Sequence, residues 1–356
     1  MSSKFKKNLD QCKYLARKFS CLPKKKILFR PYGDFCVNLH TIKYRNQDND
    51  MINRELIRLK IVQIIYAYYQ NGNKNIDATE KELFFSLSKA YDLYNYLLLL
   101  MVEISHLAAL RVEVLEKKSE RTKIEKPNRK FADNRFIAQL ESNKMLQDFN
   151  QNQKKIWDLN DSFIRTTLDD IEDSDIYKEY MESPENSYEE DREIWRKIYK
   201  NILSYNDELD AFLEEQSLYW NDDKEIVDTF VLKSIKRFEE KNGSKQELLK
   251  EYKDEEDKEF ARRLLRKAIL NCDYYMHLIG DQARNWDLNR LAFMDVIIMQ
   301  IALAEMLTFP NIPIQVTINE YVDIAKLYST PKSGGYVNAI LDNIAKKLQA
   351  EGKLFK

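Results

Sequence analysis

The sequence predicts an all-α protein, and its low content of turn residues is the first reason. Glycine and proline contribute only 7 residues each to a chain of 356, whereas together they make up about 12% of average proteins. A sheet protein of this size needs many more turns. Long stretches are instead rich in Leu, Ile, Lys, Glu, Asp and Tyr, and hydrophobic residues form 44% of the chain, enough for a sizeable core.

The spacing of apolar residues places the helices. From Ile57 they recur at helical spacing as far as Tyr68, and the helix is expected to end near Gly72, which favours the left-handed conformation found after helices. Asp287 is a plausible N-cap preceded by Trp286 as a hydrophobic staple. Further helices are predicted over residues 78–115, 256–281, 287–308, 314–328 and 335–350, with the apolar run 296–303 as the central helix of a bundle.

Charge is strongly segregated and suggests the domain boundaries. Residues 1–50 hold 12 Lys/Arg and 4 Asp/Glu, whereas residues 136–260 hold 18 Lys/Arg and 34 Asp/Glu, although the net charge of the chain is only −1. The predicted organisation is a basic N-terminal extension, a helical subdomain, an exposed basic linker, an acidic helical insertion and a second helical subdomain, at residues 1–50, 51–116, 117–135, 136–255 and 256–350.

Two interpretations of the extension 1–50 stay open. The pattern changes abruptly at Met51, which is expected if translation begins there; the alternative is a genuine basic arm that helps to hold RNA. The insertion is expected to be packed rather than disordered, because it retains Trp157, Trp195 and Trp220. A helix break is predicted at residues 183–186.

No constellation of residues predicts catalysis. His40, His106 and His277 lie far apart, and there is no Gly-rich phosphate loop, nucleophile elbow or zinc-type cysteine pair. The expectation is therefore a protein that is not an enzyme, with no cofactor and no metal. Four cysteines without metal or redox spacing favour a reducing cytoplasm. No run reaches the roughly 18 apolar residues that span a bilayer, so no membrane role is expected.

Two elements are candidates for binding RNA. Arg54 and Arg58, four residues apart, project from one flank of the first helix, and guanidinium groups bind phosphates and stack on bases. A solvated helix face is the plain alternative. Lys60 lies on the other flank.

The second element is the string TPKSGGYVN at residues 330–338. Its glycines let a backbone approach a ligand, its helix start favours phosphate, and Tyr336 offers a flat face to a base. Lys332 and Ser333 lie in the same loop. A simple helix–helix turn with a core tyrosine is equally compatible with the residues alone.

Two further residues are candidates for contacts with a protein partner. Glu305 interrupts an otherwise apolar helix, and a buried unpaired carboxylate is costly. Its carboxylate must therefore face solvent, contact a partner protein or form an internal salt bridge. The sequence does not choose among these three alternatives. Tyr66, near the arginines in sequence, is either a core residue or a contact.

Several strings together resemble the NusB family of bacterial transcription antitermination factors. They are NWDLNRLAFMD at 285–295, IALAEML at 301–307, NIP at 311–313, VTINE at 316–320 and YVNAILD at 336–342, with a weaker match in MINRELIRLK at 51–60. The resemblance covers roughly residues 51–110 and 256–350. It implies a bundle of two helical subdomains, to which the acidic insertion is added.

The resemblance also implies a function. Members bind boxA-like single-stranded RNA together with NusE, a small-subunit ribosomal protein, and promote processive transcription of ribosomal RNA operons by the RNA polymerase elongation complex. It assigns Arg54, Arg58 and Tyr336 to RNA and Glu305 to NusE. The arginine cluster is sparser than in the family, since Glu55 and Leu56 stand where arginines often occur. Lys60, on the other flank of the helix, is the residue expected to compensate.

Two alternative functions differ from this expectation. A helical protein-interaction adaptor that has lost RNA binding is the main alternative, with the acidic insertion as its surface. An RNA-modifying enzyme with a NusB-like domain is disfavoured, because no strand-and-glycine cofactor domain accompanies it.

Overall fold

The computed structural model describes residues 50–72, 75–123, 126–159, 161–282, 292–330 and 332–354. The extension predicted at 1–50, apart from its last residue, lies outside the described residues. So do Trp286 and Asp287, the predicted staple and cap. The all-α prediction is confirmed, since the described chain contains only two short strands, β1 (Asp50–Ile52) and β2 (Lys250–Tyr252).

The α-helices follow one another along the whole described chain. They are α1 (Arg54–Gln70), α2 (Ile76–Thr122), α3 (Arg135–Glu141), α4 (Lys144–Asn152), α5 (Asp161–Asp173), α6 (Asp175–Glu182), α7 (Tyr188–Ile198), α8 (Asp207–Gln216), α9 (Lys224–Arg237), α10 (Glu255–Leu270), α11 (Cys272–Gln282), α12 (Phe293–Thr308), α13 (Ile314–Tyr328) and α14 (Ser333–Ala350). A π-helical turn, Tyr199–Leu203, continues α7, and two 3₁₀ turns lie at Trp157–Leu159 and Glu240–Lys245.

The described residues form two compact units, and the first combines those from Asp50 to Phe85 with those from Tyr252 onward. Helix α12 is its centre and packs against α1, α10, α11, α13 and α14. Every residue from Ile297 to Met306 is buried, as the apolar run predicted. Helix α1 begins where the Asn53 side chain accepts a hydrogen bond from the Leu56 amide, and it ends before Gly72, whose φ is +59°. The predicted end of this helix is confirmed.

Some predicted helix boundaries in this unit need correction. The helix predicted over 256–281 is two helices, because Asn271 leaves the helical conformation between α10 and α11. The Asn271 side chain donates to the Tyr275 hydroxyl at 3.4 Å, one turn into the second of these helices. Helix α14 begins at Ser333, two residues earlier than predicted, whereas α13 has the predicted bounds.

The second unit comprises Ser86–Glu251 and contains residues 136–251 of the insertion predicted over 136–255. It is a packed helical body. Trp157, Trp195 and Trp220 are all buried, and the indole N–H of Trp157 donates to the carbonyl of Tyr96 at 2.9 Å. The predicted break is confirmed, because α6 ends at Glu182 and α7 begins at Tyr188.

The segment 117–135 is exposed only in part, whereas its charge predicted an exposed linker throughout. Its first residues continue α2 as far as Thr122. Phe131 is buried and stacks on Trp195, with ring centroids 5.3 Å apart. Lys130 donates from Nζ to the carbonyls of Tyr180 and Ser183 at 2.8 and 3.0 Å. Lys130 thus satisfies carbonyl groups at the end of α6, and Phe131 packs in the core. Much of this segment therefore belongs to the second unit.

Within the described residues, no helix combines the length and apolar character that crossing a membrane requires. The same residues contain no group of His, Cys, Asp and Glu side chains able to hold a metal ion.

Candidate nucleic-acid interface

Arg58 and Glu305, which the sequence assigned to RNA and to a protein partner, contact each other inside the first unit. The Arg58 guanidinium donates from Nε to Glu305 Oε2 at 2.8 Å and from Nη2 to Oε1 at 3.0 Å. The Arg58 and Glu305 side chains are only 5% and 0% exposed. This two-pronged pair links the first turns of α1 to the last turns of α12.

Two hydroxyl groups of α13 complete the surroundings of the Glu305 carboxylate. Thr317 donates to Oε1 at 2.9 Å and Tyr321 donates to Oε2 at 3.1 Å. Arg58 also reaches Glu320 Oε2 at 3.2 Å from Nη1. Burial, followed by the negative charge of Glu305, raises the pKa of Tyr321, which keeps this hydroxyl a proton donor. A buried charge pair is tolerable when its remaining hydrogen-bonding positions are filled in this way.

The burial corrects three expectations. Arg58 is not an exposed contact for RNA, and Glu305 does not face a partner, because each is occupied by the other; the internal salt bridge, left open by the sequence, is the arrangement found. Lys60 does not compensate for the missing arginines either, since it is 1% exposed.

Arg54 lies one turn before Arg58 and is partly accessible. Its side chain is 35% exposed and donates to Glu256 at 2.6 Å and to Asp257 at 3.2 Å, at the start of α10. Its guanidinium also lies 5.0 Å from the centre of the Phe260 ring. The carboxylates hold Arg54 in place, and a phosphate approaching it must compete with them.

The turn before α14 is held by one buried hydroxyl. Ser333 Oγ donates to Asp295 Oδ2 at 2.9 Å and lies 3.0 Å from Ser329 Oγ. It also accepts from the Thr330 amide at 3.1 Å. Ser333 is 2% exposed, so it positions the turn rather than contacting RNA directly, which corrects the expectation for this residue.

The residues around Ser333 are accessible to different degrees. Lys332 is exposed and Tyr336 is half-buried, with its hydroxyl oxygen enclosed. Burial, followed by the charge of Asp295, raises the pKa of Tyr336. The two glycines differ: a Cβ on Gly334 would lie 2.9 Å from Lys326 Cγ, whereas Gly335 has open space around it. Gly334 therefore serves packing within the chain, and Gly335 alone leaves room for a ligand.

Tyr66 lies on α1 and packs on the start of α12. Its ring is 5.8 Å from that of Phe293, and its side chain is half-buried. One turn further along α1, the Tyr69 ring lies 6.2 Å from the same phenylalanine. Both interpretations of Tyr66 remain compatible with this position.

The structure groups the predicted residues differently from the sequence. Helix α1 runs antiparallel to α12, so that Arg58 meets Glu305 at one end and Tyr66 meets Phe293 at the other. The turn at Ser333 contacts Asp295, ten residues before Glu305 and hence about 15 Å away along α12. Arg54 and the turn before α14 therefore lie near opposite ends of α12 and do not converge on a single point.

Sequence reasoning missed the residues that hold these side chains in place. Asp295, Thr317 and Tyr321 were not predicted, although Thr317 and Tyr321 stand four residues apart and so share a face of α13. Two hydroxyl groups four residues apart on α13 were the signal in the sequence that this helix contacts a buried polar side chain.

Comparison with known proteins identifies the family. The family model described as "NusB family" matches residues 229–346. The Thermodesulfovibrio yellowstonii protein named transcription antitermination protein NusB is 36% identical over 118 residues, which are 33% of this chain and 74% of that protein. The chain belongs to the NusB family. A NusB protein of Chloroherpeton thalassium is 41% identical over 99 residues, 28% of this chain.

The similarity to these NusB proteins is confined to part of each chain. This chain spans 47% of the length of the Chloroherpeton relative. A solved structure of Thermotoga maritima NusB is 39% identical and covers 33% of this chain and 72% of its own, at a TM-score of 0.25. The matched region includes the C-terminal strings that resemble the family and lies outside residues 51–110.

Proposed function

We propose that this protein is a cytoplasmic transcription antitermination factor that binds boxA-like single-stranded RNA together with NusE. Through this complex it acts indirectly on the RNA polymerase elongation complex and promotes processive transcription of ribosomal RNA operons. Family membership supports the general role, because the relatives carry the name transcription antitermination protein. No catalytic step is part of this proposal.

The observation that carries the RNA part of the proposal is the start of α14. The buried hydroxyl of Ser333 fixes the turn, and this holds exposed Lys332 beside the open backbone at Gly335 and the half-exposed ring of Tyr336. No side chain caps this helix at Lys332. A cation, a helix start and an aromatic face are the groups that bind a phosphate and stack a base.

Arg54 is the second RNA contact in this proposal. Since it lies near the opposite end of α12 from the turn, an RNA that reaches both must run in an extended form along this unit. That requirement suits single-stranded RNA, whose bases are free to unstack and lie against protein side chains. Tyr66, at the same end of α12 as the turn, remains the proposed contact for NusE.

The salt dependence of RNA binding tests this proposal. Lys332→Gln should lower the slope of log affinity against log salt concentration by about 0.7, the value for one phosphate contact on a single strand. Lys346→Gln is the matched control. It removes the same charge from the same helix, at a residue that is 70% exposed and pairs with Asp342, about 20 Å further along the axis. Fluorescence anisotropy with a labelled boxA-like RNA measures both.

The adaptor interpretation makes a different prediction for the same titration. An adaptor without RNA binding gives no salt-dependent affinity in the wild type, and equal slopes for the two lysine variants would remove the start of α14 from the site. The burial of Arg58 and Lys60 is the observation that favours this alternative, since it leaves fewer cations for RNA.

A further inference from the structure

The second unit contains a basic groove between α7 and α9. Its volume is about 350 Å³, and its walls are Arg192, Glu193, Arg196 and Lys236. Three cations against one carboxylate give the groove a net positive charge. The surrounding sequence has a net negative charge, because residues 136–260 hold 34 acidic and 18 basic residues.

Two stretches without acidic residues supply Arg196 and Lys236 of this groove, whereas Arg192 and Glu193 lie just before the first stretch. Residues 194–206 contain three cations and no Asp or Glu, and residues 229–238 contain three cations and no Asp or Glu. The two stretches belong to helices that pack on each other. Where the two stretches lie side by side, three cations and the single carboxylate of Glu193 form a local site for an anion.

Buried contacts between the two helices hold the walls of the groove in place. Tyr199 donates from its hydroxyl to Asp228 Oδ1 at 2.6 Å and so ties the end of α7 to α9. Trp195 and Ile235 are buried beneath the same helices. A π-helical turn, Tyr199–Leu203, follows directly on α7. Such turns are rare in proteins, and many of those that occur lie at functional sites.

The cations of the groove are oriented but not all neutralised. Arg192 donates from Nη1 to the carbonyl of Phe238 at 2.6 Å, which anchors its guanidinium across the groove without cancelling its charge. Arg196 forms a two-pronged pair with Glu193, at 2.7 and 2.6 Å, and its side chain stays 35% exposed. Lys236 is exposed in the last turn of α9. Anchored guanidinium groups suit the oxygens of a phosphate.

We infer that this groove binds the phosphate backbone of single-stranded RNA, as a contact separate from the start of α14. The choice of RNA among polyanions rests on the proposed function. The inserted unit is then a second RNA-binding element within an acidic body, in which repulsion by the surrounding carboxylates confines RNA to the groove.

RNA titrations of the full chain test the groove. The double variant Arg196→Gln/Lys236→Gln should bind single-stranded RNA more weakly and lower the salt slope by at least about 0.7, the contribution of Lys236, and by about 1.4 when a phosphate also displaces Glu193 from Arg196. Lys155→Gln/Lys178→Gln is the control, because it removes two charges from exposed lysines of the same unit that lie outside the groove walls. Circular dichroism and thermal unfolding establish that each variant is folded.

The outcomes separate this inference from the proposed function. If the groove variant has the wild-type salt slope while Lys332→Gln has a reduced one, RNA does not bind in the groove. The site proposed at the start of α14 is then supported. A reduced slope in the groove variant with a wild-type slope in Lys332→Gln supports the groove and removes the other site. Binding of a polyglutamate peptide but not of RNA reassigns the groove to an acidic protein and overturns the inference.

Discussion

The Glu305→Lys variant should lose the folded structure of the first unit. Glu305 is fully buried and receives hydrogen bonds from Arg58, Thr317 and Tyr321, and the substitution places two cations together without solvent. Breaking a buried pair by removing one partner costs about 3–5 kcal/mol, and charge reversal should cost more. Since whole domains are stable by only about 5–15 kcal/mol, most of the unit's stability is lost. Urea unfolding followed by circular dichroism measures this.

Two further variants make the result specific to the ion pair. Asp323→Lys reverses an exposed carboxylate on α13, whose side chain is 66% exposed, and should change the unfolding free energy by no more than about 0.5 kcal/mol. The exchanged pair Arg58→Glu/Glu305→Arg should recover part of the loss. If Glu305→Lys is as stable as Asp323→Lys, the buried pair is not essential, and Glu305 is again a candidate for the NusE contact.

The Tyr336→Ala variant should weaken binding of boxA-like RNA by about 1–3 kcal/mol, which is the contribution of one base stacked on an aromatic ring. The half-exposed ring beside Lys332 and Gly335 is the basis of this expectation. The salt slope should stay nearly unchanged, because no charge is removed. Anisotropy titrations with NusE present, at several salt concentrations, measure both quantities.

Tyr336→Phe is the matched control for the stacking prediction. The Tyr336 hydroxyl oxygen is enclosed by the protein, so its loss affects the interior while the ring face remains. Phenylalanine should therefore bind RNA as tyrosine does. Equal affinities for the alanine variant and the wild type, with both folded, would show that no base stacks here.

Much of the fold could be predicted because it is determined locally. The apolar run within α12 predicted a central buried helix, and Gly72 predicted the end of α1. Helix α13 has the predicted bounds, 314–328. The three tryptophans predicted a packed insertion, and all three are buried. In each case the signal lies within one helix or its cap.

The organisation of the site could not be predicted because it depends on contacts between distant residues. Arg58 and Glu305 are 247 residues apart in sequence, and nothing in either helix alone shows that they pair. Arg54 and Arg58 share a flank of α1, yet only Arg58 faces α12, so one arginine is buried and the other is accessible. Similarly, the boundary of the second unit falls inside the continuous helix α2, where no turn residue marks it.

RNA affinity measured with and without purified NusE tests the central claim most directly. The full chain should bind a boxA-like RNA more tightly than a scrambled RNA of the same length. NusE should increase that affinity by a coupling free energy of about 1–3 kcal/mol, or about 5- to 150-fold. An equally weak, salt-insensitive signal for both RNAs, unchanged by NusE, would contradict the assignment to antitermination and favour the adaptor.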